Sequence, residues 1–160
     1  MSIRSASERA SSPRDDAIRL LARREYSRTE LAQRLAARSH SPEDIGGCLD
    51  ALAAEGLQSD ARFAESFLRS RVMRGQGPAK VRAELARRGI ERELVTATLA
   101  EAEREGEVDW FELAAVTLAR RFSPPGDSPR ERARCERFLA ARGFDFDQVR
   151  HALERLGAAE

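Results

Sequence analysis

The chain has 160 residues, 41% hydrophobic but only 6% aromatic and 34% charged, so a core has to be built mainly from Leu, Ala and Val. Lys+Arg number 28 against 27 Asp+Glu, a formal net charge of +1, which removes the global positive field that a non-specific nucleic-acid coat relies on. Cys48 and Cys135 have neither CxxC spacing nor a histidine cluster, so no metal is expected; no apolar run approaches the ~20 residues that span a bilayer.

Met1 to Pro13 is rich in Ser, Ala and Arg and has no apolar segment, unlike a signal peptide, so residues 1–14 are expected to form a disordered tail on a soluble, cytoplasmic chain. From there on, apolar residues recur at helical spacing, with no alternating strand-like runs, and the fold class expected is all-α. The first helix is expected over Asp15–Glu25. Ser27-Arg28-Thr29-Glu30 then reads as a capping box opening a second helix through Leu31 and Leu35, and Ser41-Pro42 opens a third through Ile45 and Leu49.

The pattern then repeats. Asp60–Arg74 is the next first helix, Gly77-Pro78 opens its successor, and Leu85-Ala86-Arg87-Arg88 falls 50 residues after Leu35-Ala36-Ala37-Arg38. Asp109–Arg121 begins a third round, Ser128-Pro129-Arg130-Glu131 gives another capping box, and Leu139-Ala140-Ala141-Arg142 follows 54 residues after the second copy. The register aligns Leu31, Val81 and Cys135; Ile45, Val95 and Val149; and Leu49, Leu99 and Leu153. The turns align as Ser39, Gly89 and Gly143 followed by His40, Ile90 and Phe144. Gly56, Gly89, Gly143 and Gly157 are placed as left-handed helix ends. Three tandem three-helix units result, over residues 15–56, 57–106 and 107–157. They are expected to stack into an elongated, curved array whose use is binding along a surface.

Catalytic chemistry is hard to assemble from this chain. His40 lies in a turn, His151 sits among apolar neighbours, and neither has a nucleophile at a useful spacing. Cys48 and Cys135 occupy core-like positions. Gly75-Gln76-Gly77-Pro78 lacks the frame of a phosphate-binding loop, and Asp145 and Asp147 read as helix N-terminal charges. No catalytic residue and no cofactor is expected. Helix-turn-helix DNA reading is the competing class, since Ser27 to Leu57 runs helix, turn, helix. Its second helices, however, open on Glu43-Asp44, Glu91/Glu93 and Asp145/Asp147, which would meet DNA phosphates with the wrong sign.

Charge is distributed unevenly. Arg62 to Arg88 carries eight cations against two acids, a net of +6, and Glu91 to Glu112 carries eight acids against two cations, a net of −6. Such a dipolar strip steers an oppositely patterned partner. Arg62, Arg69, Arg74, Lys80, Arg82, Arg87 and Arg88 are the candidate partner-binding residues. Arg62, Arg69, Lys80 and Arg87 are expected to face solvent most fully. Arg71 projects between Phe63, Phe67 and Leu68, and is expected to bury its stem and pair with a carboxylate.

Asp60-Ala61-Arg62-Phe63-Ala64, Phe67, Arg71, Gly75-Gln76-Gly77-Pro78, Glu84-Leu85 and Gly89-Ile90 together resemble the hallmark block of the RecX family. Arg24-Glu25-Tyr26-Ser27-Arg28-Thr29-Glu30-Leu31 and Leu35 resemble that family's first-repeat motif. The similarity runs from about Asp15 to Leu156, is looser in the third unit, and puts Ser39 where a glycine is common. The resemblance implies a modulator that binds in the groove of the RecA–DNA filament and restrains RecA's ATP hydrolysis, strand exchange and LexA co-protease action. The chain itself is expected to be a monomer that can also touch DNA directly and has no membrane partner.

Overall fold

A computed structural model describes residues 11–124 and 128–159; of the tail expected over 1–14, residues 1–10 lie outside them, and Pro13 and Arg14 belong to the first helix. The described residues form nine α-helices and no strand: α1 (Pro13–Leu21), α2 (Arg28–Ala37), α3 (Pro42–Ala54), α4 (Asp60–Met73), α5 (Pro78–Arg87), α6 (Arg92–Arg104), α7 (Trp110–Arg121), α8 (Pro129–Ala141) and α9 (Phe146–Ala158). They are an all-α array of three-helix repeats, divided at Phe63/Ala64, within α4, into two compact units. None of these helices is long and apolar enough to cross a membrane.

In the unit that ends at Phe63, the helix starts follow from side-chain caps. Ser12 accepts from the Asp15 amide and Pro13 fills the first helical position, so α1 begins ahead of the expected Asp15. It also stops at Leu21, four residues short of the expected Glu25, because Tyr26 leaves the helix to enter the core at 5% exposure. Arg24 lies 3.7 Å from the centre of the Tyr26 ring. The Ser27–Glu30 capping box has both arms. Ala17, Tyr26, Leu31, Leu35, Ile45, Leu49 and Leu52 close the core. Asp60 fixes the end of this unit, accepting from the Arg28 amide at 2.8 Å and from the Gln58 side chain at 2.9 Å.

Asp16 is the one buried carboxylate among the described residues, only 4% exposed. His40 Nε2 lies 2.7 Å from Oδ2, with Arg38 and Arg19 at 3.4 and 3.8 Å from Oδ1. The His40 hydrogen bond, opposed by burial and aided by the two arginines, holds the Asp16 carboxyl below the ordinary aspartate range. A carboxyl depressed in this way stabilises the fold above its unfolded pKa of about 3.9. That contribution is lost as pH falls through the lower, folded value. Asp16→Asn is therefore expected to lower the melting temperature at pH 7 by about 2–4 °C and to flatten the acid limb of the pH–stability curve. Thermal melts from pH 2 to 7 check this, and an acid limb as steep as wild type would remove Asp16 from the account.

In the unit from Ala64 on, the same register is filled by different side chains. Val81, Leu85, Val95 and Leu99 are buried as Leu31, Leu35, Ile45 and Leu49 are, and so are Cys135, Leu139 and Val149. Leu153 is only partly buried and packs against the last core from its margin. Ser39, Gly89 and Gly143 all take positive φ, 66°, 82° and 94°, so the serine in the first repeat adopts the backbone that glycine adopts in the other two. Gly157 does not end a helix: α9 continues through it to Ala158. At α8 the expected capping box has a single arm, Ser128 accepting from Glu131. Asp145–Gln148 forms a complete one that the sequence reading did not assign.

Candidate interaction surface

The expected basic strip is sorted by the structure into three groups. On one side of repeat two, the Phe67 ring has the Arg71 guanidinium 4.5 Å and the Arg88 guanidinium 4.7 Å from its centre. Arg71 Nε also lies 3.2 Å from Glu84 Oε2, and both side chains are less than a fifth exposed. The two atoms are not aligned for a hydrogen bond, so attraction between opposite charges in a poorly hydrated seam holds them together. This is the arrangement expected for Arg71, a buried stem paired across two helices.

Around that pair the helical period gathers further cations. Helix α5 buries Pro78, Val81 and Leu85, which leaves Lys80 and Arg87, seven residues apart, together on its flank with Glu84 between them. Arg74, Lys80, Arg82 and Arg87 make no ion pair among the described residues. Arg82 lies on the other flank of α5. Arg87 is exposed as expected, but Lys80 is only half exposed.

Lys80 is covered because α5 starts against the end of α8. The Gly77 and Ala79 amides donate to the Arg142 and Gly143 carbonyls at 2.7 and 3.0 Å. Unpaired N–H groups at one helix start thus meet unpaired C=O groups at another helix end, with their partial charges opposed in sign. A side chain at Gly143 would place its Cβ 2.5 Å from Lys80 Cβ, and one at Gly77 would run into the Gly143 carbonyl. The Gly75–Pro78 segment is therefore a joint between repeats two and three, with its amides already engaged.

The remaining candidates lie elsewhere. Arg62 is exposed but held by Glu25, Nε to Oε1 3.0 Å. Arg69 is exposed, yet it is two residues from Phe67 and so nearly opposite it on α4. It lines a trough with Glu65, Glu101, Glu105 and Glu107.

A second group of cations went unassigned in the sequence reading. Between positions 120 and 142 there are seven arginines and three acids. Phe122 and Phe138 meet edge to face, centres 5.5 Å apart. Arg121 and Arg142 lie over Phe138 at 5.5 and 5.0 Å, and Arg134 over Phe122 at 5.7 Å. Arg142 Nη1 also donates to the Arg74 carbonyl at 3.0 Å, which joins this cluster to the cations of repeat two. The available signal was Arg134-x-x-x-Phe138-x-x-x-Arg142, a four-residue spacing that puts all three on one face of α8 and just past its end. His151 packs edge to face on Phe111, ring centres 5.6 Å apart.

Models of the first, second and third three-helix domains of RecX match residues 14–52, 59–99 and 107–153. The regulatory protein RecX of Chromohalobacter salexigens is 63% identical over 92% of this chain and 94% of its own. That of Halorhodospira halophila is 50% identical over 87% and 84%. A crystal structure of RecX from Lactobacillus salivarius superposes with a TM-score of 0.77, covering 96% of this chain and 99% of that one at 22% identity, which is a likeness of fold.

Proposed function

The chain belongs to the RecX family of regulatory proteins, and from that premise we propose that it binds the RecA–DNA filament and restrains RecA's ATPase, strand-exchange and co-protease activities in the cytoplasm. The observation that carries this reading is the joined basic band. Arg74, Lys80, Arg87 and Arg88 surround the Arg71–Glu84 pair, and Arg142 links them to Arg121 and Arg134. A band of cations in which Arg74, Lys80 and Arg87 make no ion pair among the described residues suits a polyanionic or acidic surface such as a nucleoprotein filament presents. Regulation requires no chemistry from the chain itself. Repeats over 15–56, 57–106 and 107–157 are the proposed working units, with Arg74, Lys80, Arg87 and Arg88 as the filament contacts in the second.

The test is RecA ATPase on single-stranded DNA with wild-type protein and with Lys80→Glu/Arg87→Glu. Wild type is expected to slow the ATPase at less than one copy per RecA protomer. The reversal should bind the filament at least tenfold more weakly at low salt, where a Debye length of roughly 10 Å at 0.1 M leaves exposed charges least screened. Its melting temperature should match wild type. Unchanged RecA activity at equimolar protein, with tight binding of a specific duplex instead, would establish a free DNA-binding regulator.

A further inference from the structure

We propose that the trough between α4 and the α6–α7 turn is a docking site for a basic amphipathic helix of a partner protein. It lies on the side of α4 turned away from the basic band, and the proposal goes beyond the filament reading without depending on it.

The trough is formed by two adjoining cavities of about 430 and 230 Å³ that share Leu68, Arg69, Ala102 and Glu107. Its floor is apolar, made by Leu68, Ala102 and Val108, each under a tenth exposed. At one end stands Met73, 84% exposed, the most solvent-accessible large hydrophobic side chain among the described residues. An unbranched thioether with three free torsions is suited to shaping itself around an incoming apolar group. The volume accommodates two or three side chains spaced along one helix face, the i, i+3/i+4 anchors of a helix laid in a groove.

Charge decides which helix fits. The rim carries Glu65, Glu101, Glu105 and Glu107, against Arg69 as the one cation among the lining residues. Glu101 is paired with Arg104. Glu65, Glu105 and Glu107 make no ion pair among the described residues, although Arg69 lines the same trough. Three uncompensated carboxylates around an apolar floor attract Lys or Arg flanking apolar anchors and repel an acidic helix of the same shape. Repeat two thus offers a cationic face on α4–α5 and an anionic, apolar-floored one on α4–α6.

The test uses the full chain and two synthetic probes, a Leu/Lys amphipathic helical peptide of about 14 residues and its Leu/Glu counterpart. Binding is followed by fluorescence anisotropy and mapped by backbone amide NMR shifts. The Lys peptide is expected to bind, weaken with salt, and shift Leu68, Ala102, Glu107 and Val108, while the Glu peptide does not bind there. Glu105→Lys/Glu107→Lys should weaken it at least tenfold, and Met73→Asp should weaken it as well, each with a wild-type melting temperature. Equal binding of both peptides, shifts confined to other helices, or full affinity in the charge reversal overturns the proposal. A concentration-dependent dimer in sedimentation equilibrium that Met73→Asp abolishes also overturns it, by making a second copy of this chain the occupant.

Discussion

Gly143→Ala is expected to cost about 3 kcal/mol of unfolding free energy, the larger effect of the two glycines at the α5–α8 joint. Two penalties combine. At φ 94° an L side chain sits in left-handed backbone, worth roughly 1–2 kcal/mol. The new Cβ would also stand 2.5 Å from Lys80 Cβ and 2.6 Å from its amide nitrogen, and overpacking of this kind typically costs about 1–3 kcal/mol. Gly77→Ala has ordinary extended backbone, φ −83°, and incurs only the clash, so about 2 kcal/mol is expected. Gly47→Ala is the control: it lies inside α3 with nothing within 4 Å of the added atom and should stabilise by about 0.5–1 kcal/mol. Urea denaturation of the three variants reads all of this directly. If Gly143→Ala unfolds at the wild-type midpoint, the joint between α5 and α8 is looser than described.

Arg71→Ala comes next. It strips a side chain only 16% exposed, removes the guanidinium from the Phe67 ring, and leaves Glu84 Oε2 buried without a partner. Breaking a fully buried pair costs about 3–5 kcal/mol; here the paired atoms are buried but the two side chains are still 16% and 18% exposed, so about 2–3 kcal/mol is expected. Arg71→Met separates the contributions, since it keeps an apolar stem but leaves the carboxylate alone. If the alanine variant melts like wild type but loses filament binding, Arg71 is a contact residue and its pairing with Glu84 is incidental to stability.

The repeats were legible in the sequence because a left-handed turn residue and an apolar period recur at 50 and 54 residues, and both are local properties of the chain. Leu31, Val81 and Cys135 share a register position and are all fully buried. Arg71 was legible for the same reason: helical spacing alone puts it between Phe67 and Leu68. What escaped reading is what depends on meetings between repeats. Lys80 lies on an outward flank of α5, yet it is half covered because Gly143, 63 residues away in sequence, approaches it. Arg62 reads as a free cation until Glu25, 37 residues earlier in the chain, is brought to 3.0 Å. The arginines between 120 and 142 were passed over because their acids and cations alternate along the chain, whereas Phe122 and Phe138 collect the cations on one side.

The joint at Gly77 also bears on how the protein is made. The acceptors for the Gly77 and Ala79 amides are the carbonyls of Arg142 and Gly143, which are synthesised some 65 residues after Gly77. At about 5–20 residues per second, helix α5 passes several seconds on the ribosome with its start bonded only to water. Repeat one needs no such wait, because Ser27 caps α2 from within and Asp60 follows close behind. The nascent chain therefore acquires its first repeat as a finished piece, whereas the second is completed only by the arrival of the third. A polypeptide released early, anywhere before Arg142, would carry the basic face of repeat two on a helix whose beginning has lost its proper neighbour.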